Sequence, residues 1–384
     1  MSAQIWLPGR DARSGPLVIL EPGWAACYRP PACRRVYAAA HVAASPGSDG
    51  EVIDWKATMR FRDHLWAHGF GVAEAMDTAQ RGMGLSWEQA RELIARSAAR
   101  SAGRTGALAC GAGTDQLPEG ESHPISKIIG AYAEQMAFVQ EAGADVILMA
   151  SRALAASARG ALDYLEVYGE LLRQAGRPVI LHWLGEAFDP ALPGYWGGAD
   201  FGAAADTVLE LIDRADGKVD GIKLSVLDAG REVALRRRLP AGVRLYTGDD
   251  FHYAELIRGD AEGHSDALLG AFAAITAPAA AALAALDRDD LAGYDAAMGP
   301  TVSLCRAIFE PPTYHYKVGV AFLAWLNGLP PHFSMLRGLQ RRRPPRHLSR
   351  VFELAAAARA LTDPELAAAR MTGLLATIAG PERV

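Results

Sequence analysis

Cysteine is nearly missing: the 384 residues hold four, Cys27, Cys33, Cys110 and Cys305, with no Cys-x-x-Cys pair and no Cys/His cluster at zinc spacing. That excludes a disulfide scaffold and a zinc ribbon, and it fits a reducing cytoplasm. Long apolar runs are missing too, since a membrane helix needs about 18 consecutive apolar residues. The Ala-rich stretch from Ala271 to Leu286 comes nearest, but Pro278 interrupts it and Asp287 closes it. Met1 to Pro16 alternates polar and apolar residues with Asp11 and Arg13 inside, unlike the apolar core of a signal peptide. Neither charge sign dominates, with 39 Lys and Arg against 44 Asp and Glu and a net charge of −5. The one dense basic run, Arg341-Arg342-Arg343 with Arg346, reads as a solvated helix flank, so neither nucleic acid nor a membrane is an expected partner. No Gly/Ser linker divides the chain, and half its residues are apolar, enough to bury one sizeable core.

From about residue 34 onward, short β-rich apolar runs alternate with longer stretches of helical period. The runs are Val36 to Ala44, Phe70 to Met76, Gly106 to Gly111, Asp145 to Ala150, Pro178 to Trp183, Val219 to Leu224, Val243 to Thr247 and Ala267 to Ile275. They are continuously apolar, as strands covered on both faces are. Helices are predicted over Asp54 to His68, Ser86 to Ala99, Ser126 to Ala142, Gly160 to Gln174, Phe201 to Ala215, Ala229 to Leu239, Phe251 to Ile257 and Ala277 to Leu286, with Ser86 and Gln89 as a capping box. Eight such units over roughly 250 residues make a (β/α)8 TIM barrel spanning residues 34–290. A doubly wound sheet is the alternative, but no Gly-x-Gly-x-x-Gly follows the first strand. Residues 1–33 read as a hairpin extension capping one end of the barrel, and 291–384 as a C-terminal helical segment. Within the latter, Pro311-Pro312-Thr313-Tyr314-His315-Tyr316-Lys317 reads as a solvated turn.

A barrel of this kind works at the carboxyl ends of its strands, so the polar residues that end each run are the candidates. These are Glu74, Asp77, Thr78 and Arg81 after the second strand, Arg152 after the fourth and His182 on the fifth. Lys223 ends the sixth strand, and Thr247, Asp249, Asp250 and His252 follow the seventh. Lys223 is the sharpest, because Val219-Asp220-Gly221-Ile222 carries its side chain into the barrel mouth. A lysine desolvated there has a lowered pKa, and its free amine adds to a carbonyl. The plainer alternative is an interior lysine paired to Asp77 or Asp249. Arg81 and Arg152 each have two readings as well, a bidentate hold on a substrate anion or a bridge to a nearby carboxylate. Trp183, Tyr195, Trp196, Phe251 and Tyr253 are read as a sugar-lining face or as packing.

Gly221-Ile222-Lys223, followed one strand later by Tyr246-Thr247-Gly248-Asp249-Asp250, resembles the dihydrodipicolinate synthase and N-acetylneuraminate lyase family. That family's Schiff-base lysine sits in a Gly-Ile-Lys strand, and a Gly-Asp-Asp turn follows its seventh. Asp54 to Ile94, Pro178 to Leu181 and Gly263 to Ala279 are similar as well. The resemblance implies a class I aldolase, a carbon–carbon or carbon–oxygen lyase that works through an imine on Lys223, without a cofactor, in a homo-oligomer, dimer or tetramer. Two departures mark a divergent branch. The family's fifth strand ends in a proton-relaying tyrosine followed by a carboxylate-binding arginine, where this chain has His182-Trp183-Leu184-Gly185-Glu186. Its Gly-Thr-Thr-Gly-Glu is replaced by Asp77-Thr78-Ala79-Gln80-Arg81, so only Thr78 of the carboxylate-binding pair is kept.

The expected assignment has Lys223 as nucleophile on a small hydroxylated carbonyl or sugar-derived keto compound, and His182 moving protons, since imidazole titrates near neutrality. Thr78 and Arg81 hold an anionic group, Asp77, Arg152 and Thr247 are further substrate contacts, and Asp249 and Asp250 order hydroxyls or the strand-seven turn. Two alternatives stand beside it. One is a divalent metal held by Glu74, Asp77, His182, Asp249 and His252 in an isomerase, aldolase or hydrolase. The other is a barrel without catalysis that binds sugar acids.

Overall fold

A computed structural model describes residues 2–8, 15–24, 29–48, 50–76, 81, 84–104, 107–118 and 120–379. In chain order its elements begin with β1 (Ala3–Ile5), β2 (Leu17–Ile19), β3 (Val36–Ala39), α1 (Trp55–Ala67), β4 (Gly71–Glu74), α2 (Trp87–Ser101), β5 (Leu108–Ala112) and α3 (Ile125–Glu141). Next come β6 (Asp145–Leu148), α4 (Arg152–Ser157), α5 (Ala161–Gln174), β7 (Val179–Leu184), α6 (Phe201–Arg214), β8 (Val219–Ser225), α7 (Ala229–Arg236) and β9 (Arg244–Thr247). The chain continues through α8 (Tyr253–Arg258), β10 (Asp266–Leu269), α9 (Thr276–Leu286), α10 (Leu291–Ile308), α11 (Lys317–Leu326), α12 (Pro345–Ala357) and α13 (Pro364–Ala379). Two compact units result, one of Arg34–Ala39 with Gly71–Leu269, the other of Met1–Cys33, Ala40–Phe70 and Gly270–Val384.

The first unit holds all eight strands of a closed parallel barrel, β3 to β10 in chain order, with Leu268 of β10 returning to pair with Tyr37 of β3. The eight runs read in the sequence are these strands. Each buries nearly every residue, as in the Val-Ile-Leu-His-Trp-Leu of β7. Helix starts are fixed by side-chain caps. Ser86 and Gln89 form the predicted capping box of α2, while Ser151, Asp200 and Asp228 each accept a backbone N–H three residues on. The first and eighth strands end sooner than predicted, at Ala39 and Leu269. Residues 40–44 and 270–275 stay buried after leaving the ladder, so their apolar composition outlasts the strand it resembles.

Ladder alternation puts Tyr37, Ala39, Ala73, Ala109, Ile147, Ile180, Tyr246 and Leu268 into one buried cluster, the barrel lumen, with Met76 and Met149 just past their strands. Gly221 makes room for it: a Cβ there would lie 2.8 Å from the Tyr246 ring. At the amino end the lumen is plugged by polar side chains. Arg35 donates to Tyr37 Oη at 3.0 Å and pairs with Asp145 at 3.4 Å, and Tyr246 Oη donates to Asp220 at 2.5 Å. Burial pushes the Tyr37 phenol up to about 12, so it stays protonated as part of this plug.

In the second unit, β1 and β2 form the expected antiparallel pair, Gln4 opposite Val18, and pack against α13 and α12 respectively. The C-terminal segment is helical, as predicted. Pro311 to Lys317 is solvated only in part: Pro311 and Pro312 are exposed and Tyr314 and His315 half-buried, but Thr313 is buried at the start of a 3-10 turn and Lys317 opens α11 at 2% exposure, because α11 is apolar on nearly every side. Cys33, Cys110 and Cys305 are free thiols, and Cys27 lies outside the described residues. Among the described residues no helix is long and apolar enough to cross a membrane.

Candidate active site

Lys223 shares the lumen face of β8 with Gly221, and its register neighbours are His182 on β7 and Tyr246 on β9. Parallel neighbours in register project on the same side. The lysine therefore enters the lumen, 7% exposed, and Nζ reaches Met76 Sδ at 3.8 Å, beyond the end of β4 on the opposite wall. Gly248, after β9, exists for this passage: a Cβ there would lie 2.8 Å from Lys223 Cε and 2.1 Å from Ser225 Oγ. Gly248→Ala should cost about 1–3 kcal/mol as overpacking without room to relax. Urea denaturation would show this as a lowered midpoint, and a midpoint equal to wild type would refute the close approach.

His182 is buried, with Nε2 3.3 Å from Ser225 Oγ and Nδ1 without a partner. Burial, and then the Lys223 charge, hold its pKa well below the usual imidazole value. The ring is neutral at pH 7 and has a nitrogen free to accept a proton. This is the position where the related barrels of the sequence resemblance carry tyrosine.

The turn after β9 is organised from within. Asp249 accepts the backbone N–H groups of Phe251 at 2.8 Å and His252 at 3.0 Å, and its other oxygen meets His252 Nδ1 at 2.9 Å. Asp249 and His252 thus order the turn, and Asp250 is buried beside them in sequence. Thr247 faces away from the lumen, because its neighbour Tyr246 faces in. Its hydroxyl donates to Glu232 of α7 at 3.0 Å, which corrects its expected role as a substrate contact. Glu232 went unread in the sequence. It also accepts Ser265 Oγ at 2.7 Å, and burial pushes its pKa up to about 8. Its one sequence signal is its place three residues before Leu235, the other buried residue of α7.

Arg81 is also corrected. Its Nε and Nη2 grip Asp115 bidentately, Nη2 donates further to Gln135 at 2.6 Å, and Nη1 donates to the carbonyls of Ala75 at 3.0 Å and Gly111 at 3.2 Å. A guanidinium has five N–H donors, and all five are used, leaving none for a substrate anion. Glu74 turns outward to Ser97 of α2 at 2.7 Å, since Ala73 occupies the lumen face. It is therefore parted from His182 and Asp249. Among the described residues no group of three or more His, Cys, Asp or Glu is arranged to hold a metal; Asp77 and Thr78 lie outside them. Arg152 pairs with Asp189 at 2.8 Å on the rim of a cleft over β5 and β6. Thr114 and Ser151, whose hydroxyls lie 2.6 Å apart, line the same cleft, and Met149 joins it to the lumen. Trp183, Tyr195, Trp196 and Tyr253 are packing residues. All are buried, with Trp183 stacked on Phe201 at 4.8 Å, although Trp183 and Tyr195 also line a second cleft with Glu186 and Asp200, and Phe251 is half-buried.

Strands, lumen and lysine together define a (β/α)8 barrel with a lysine crossing the carboxyl end of its lumen. The chain belongs to the family described as "Protein of unknown function (DUF993)", whose model matches residues 7–380. No curated protein matches it. Among solved structures it is similar to dihydrodipicolinate synthase from Aquifex aeolicus, at 13% identity over 85% of this chain and 99% of that one, with a TM-score of 0.64. It is similar also to the chloride-inhibited enzyme from Acinetobacter baumannii complexed with pyruvate, at 17% identity, coverage of 85% and 99%, and a TM-score of 0.63. The synthase from Oceanobacillus iheyensis matches at 17% identity, 84% and 95% coverage, and a TM-score of 0.61. At such identities the likeness is one of fold, and it falls on the family that the Gly-Ile-Lys strand and Gly-Asp-Asp turn resemble.

Proposed function

We propose that the protein is a Schiff-base-forming lyase in which Lys223 condenses with the carbonyl of a small hydroxylated substrate. The observation that carries this reading is the Lys223 side chain itself, buried in the lumen beside a neutral histidine and against a methionine. The amine adds to the carbonyl carbon, and loss of water from the carbinolamine leaves an iminium. Its positive nitrogen accepts the electron pair released when a neighbouring carbon–carbon bond breaks or a Cα proton leaves, and His182 takes or returns that proton. Water then hydrolyses the imine and frees Lys223. This chemistry needs no metal and no organic cofactor.

The polar lining supports a hydroxylated substrate over a simple 2-oxo acid. After His182 this chain has Trp183-Leu184-Gly185-Glu186, without the arginine that holds a carboxylate in the resembling family, and Arg81 is saturated by Asp115, Gln135 and two carbonyls. The Thr114 and Ser151 hydroxyls, which line the cleft while bonded to each other, support contact with substrate hydroxyls in its place. Borohydride reduction in the presence of pyruvate, hydroxypyruvate or dihydroxyacetone should fix the substrate's carbon skeleton on the peptide that contains Lys223, as read by mass spectrometry. A compound that is turned over yet leaves no adduct would overturn the reading.

A further inference from the structure

Within the second unit, α11, α13 and the segment leading into α12 enclose a cavity of about 650 Å³, in the size range of small-molecule sites. Trp325 and Phe333, stacked at 5.7 Å, form one wall and Leu374 another. Three arginines, Arg341, Arg343 and Arg370, are part of the lining, and among the described residues no Asp or Glu contributes to it.

The state of these arginines distinguishes the cavity from a plain apolar groove. Arg343 is 6% exposed, and its Nη groups donate only to the backbone carbonyls of Glu310, Pro311 and Pro312, at 2.6, 3.2 and 3.1 Å. Its Nε is buried without a partner. The nearest acid, Glu310, is engaged by His347 at 2.8 Å and Arg350 at 3.2 Å. Arg370 lies over the Trp325 ring at 5.5 Å and likewise donates to carbonyls, those of Trp325 and Pro330. Carbonyls satisfy hydrogen bonds but carry no net charge, so among the described residues neither the buried Arg343 nor the half-buried Arg370 is in an ion pair, and Glu310 offsets the burial of Arg343 only in part. Burial accordingly draws the pKa of each downward. A buried cation in this condition is unfavourable unless an anion joins it. Arg81, clasped by Asp115 in the barrel unit, shows the compensated arrangement.

We infer that this cavity binds a small amphipathic anion, a carboxylate on an aromatic body, with the body against Trp325, Phe333 and Leu374 and the carboxylate on Arg343 and Arg341. The site is separate from Lys223 and independent of the function proposed for it.

Calorimetric titration of the full chain with 2-naphthoate, and with the neutral 2-naphthamide as control, tests this. The carboxylate should bind at least about 10-fold more tightly, the worth of one charge-assisted hydrogen bond. Arg343→Gln risks the fold, so two other variants carry the test, each first checked for a wild-type melting curve. Arg341→Gln, at an exposed position, should weaken 2-naphthoate several-fold, and Leu374→Trp, which narrows the space beside Trp325 and Phe333, should weaken it by a similar factor. No binding of 2-naphthoate, equal binding of the amide, or binding unchanged by Leu374→Trp would each overturn the inference. So would sedimentation showing a dimer that 2-naphthoate dissociates, because a second copy would then be the natural occupant.

Discussion

Lys223→Met should abolish borohydride trapping and lower turnover by more than about four orders of magnitude, about 5.5 kcal/mol of barrier, while the barrel stays folded. Methionine is unbranched and flexible, and Nζ already lies 3.8 Å from Met76 Sδ, so an apolar chain of similar length suits the lumen. What disappears is the amine that the proposed imine requires. His182→Phe separates the two roles. Imine formation needs Lys223, so trapping should persist, whereas turnover should fall by about 10²–10⁴, the usual worth of a positioned acid–base group. Loss of trapping in both variants would mean that His182 only supports the lysine. Turnover retained by Lys223→Met would eliminate imine chemistry.

A large effect of a different kind is expected at Glu232. Its carboxyl has an ordinary value of 4.5 and is raised to about 8 in the folded protein by burial. A folded pKa above the unfolded one means that the native state holds the extra proton between those values. Stability from this group is thus fully present below pH about 4.5 and is lost as pH rises through about 8. The slope is about 1.4 kcal/mol per pH unit, for a total on the order of 4 kcal/mol across the window. Glu232→Gln keeps acceptor and donor capacity for Ser265 and Thr247 but removes the titration. Urea denaturation at pH 5 and pH 8 should show the variant gaining on wild type by several kcal/mol at the higher pH. Equal differences at the two pH values would mean that the carboxyl titrates normally. Comparing differences cancels other groups that titrate in the same range.

The barrel was legible because its strands are covered on both faces, which writes them into the sequence as apolar runs, and because Ser86, Asp200 and Asp228 mark helix starts. Lys223 was legible because a charge at the end of such a run has no surface to reach. Roles that depend on partners distant in sequence were not. The grip of Asp115 and Gln135 on Arg81 closes over gaps of 34 and 54 residues, which no local pattern records. Glu232 sits in a polar-looking helix and becomes an interior acid only because Thr247 and Ser265 come to it. The hexapeptide helix α4, opened by the Ser151 cap, is too short to show a period. Arg341 and Arg343 read as part of a solvated basic flank, and their cavity exists only once α11 and α13 are side by side.

The plug formed by Arg35, Tyr37, Asp145, Tyr246 and Asp220 has a consequence for traffic. It closes the lumen at its amino end, so Lys223, at the carboxyl end, is approached from the carboxyl side. A substrate must advance carbonyl first, and the part that follows determines whether the rest fits. For the proposed imine chemistry, substrate and products alike would then have to use the carboxyl side.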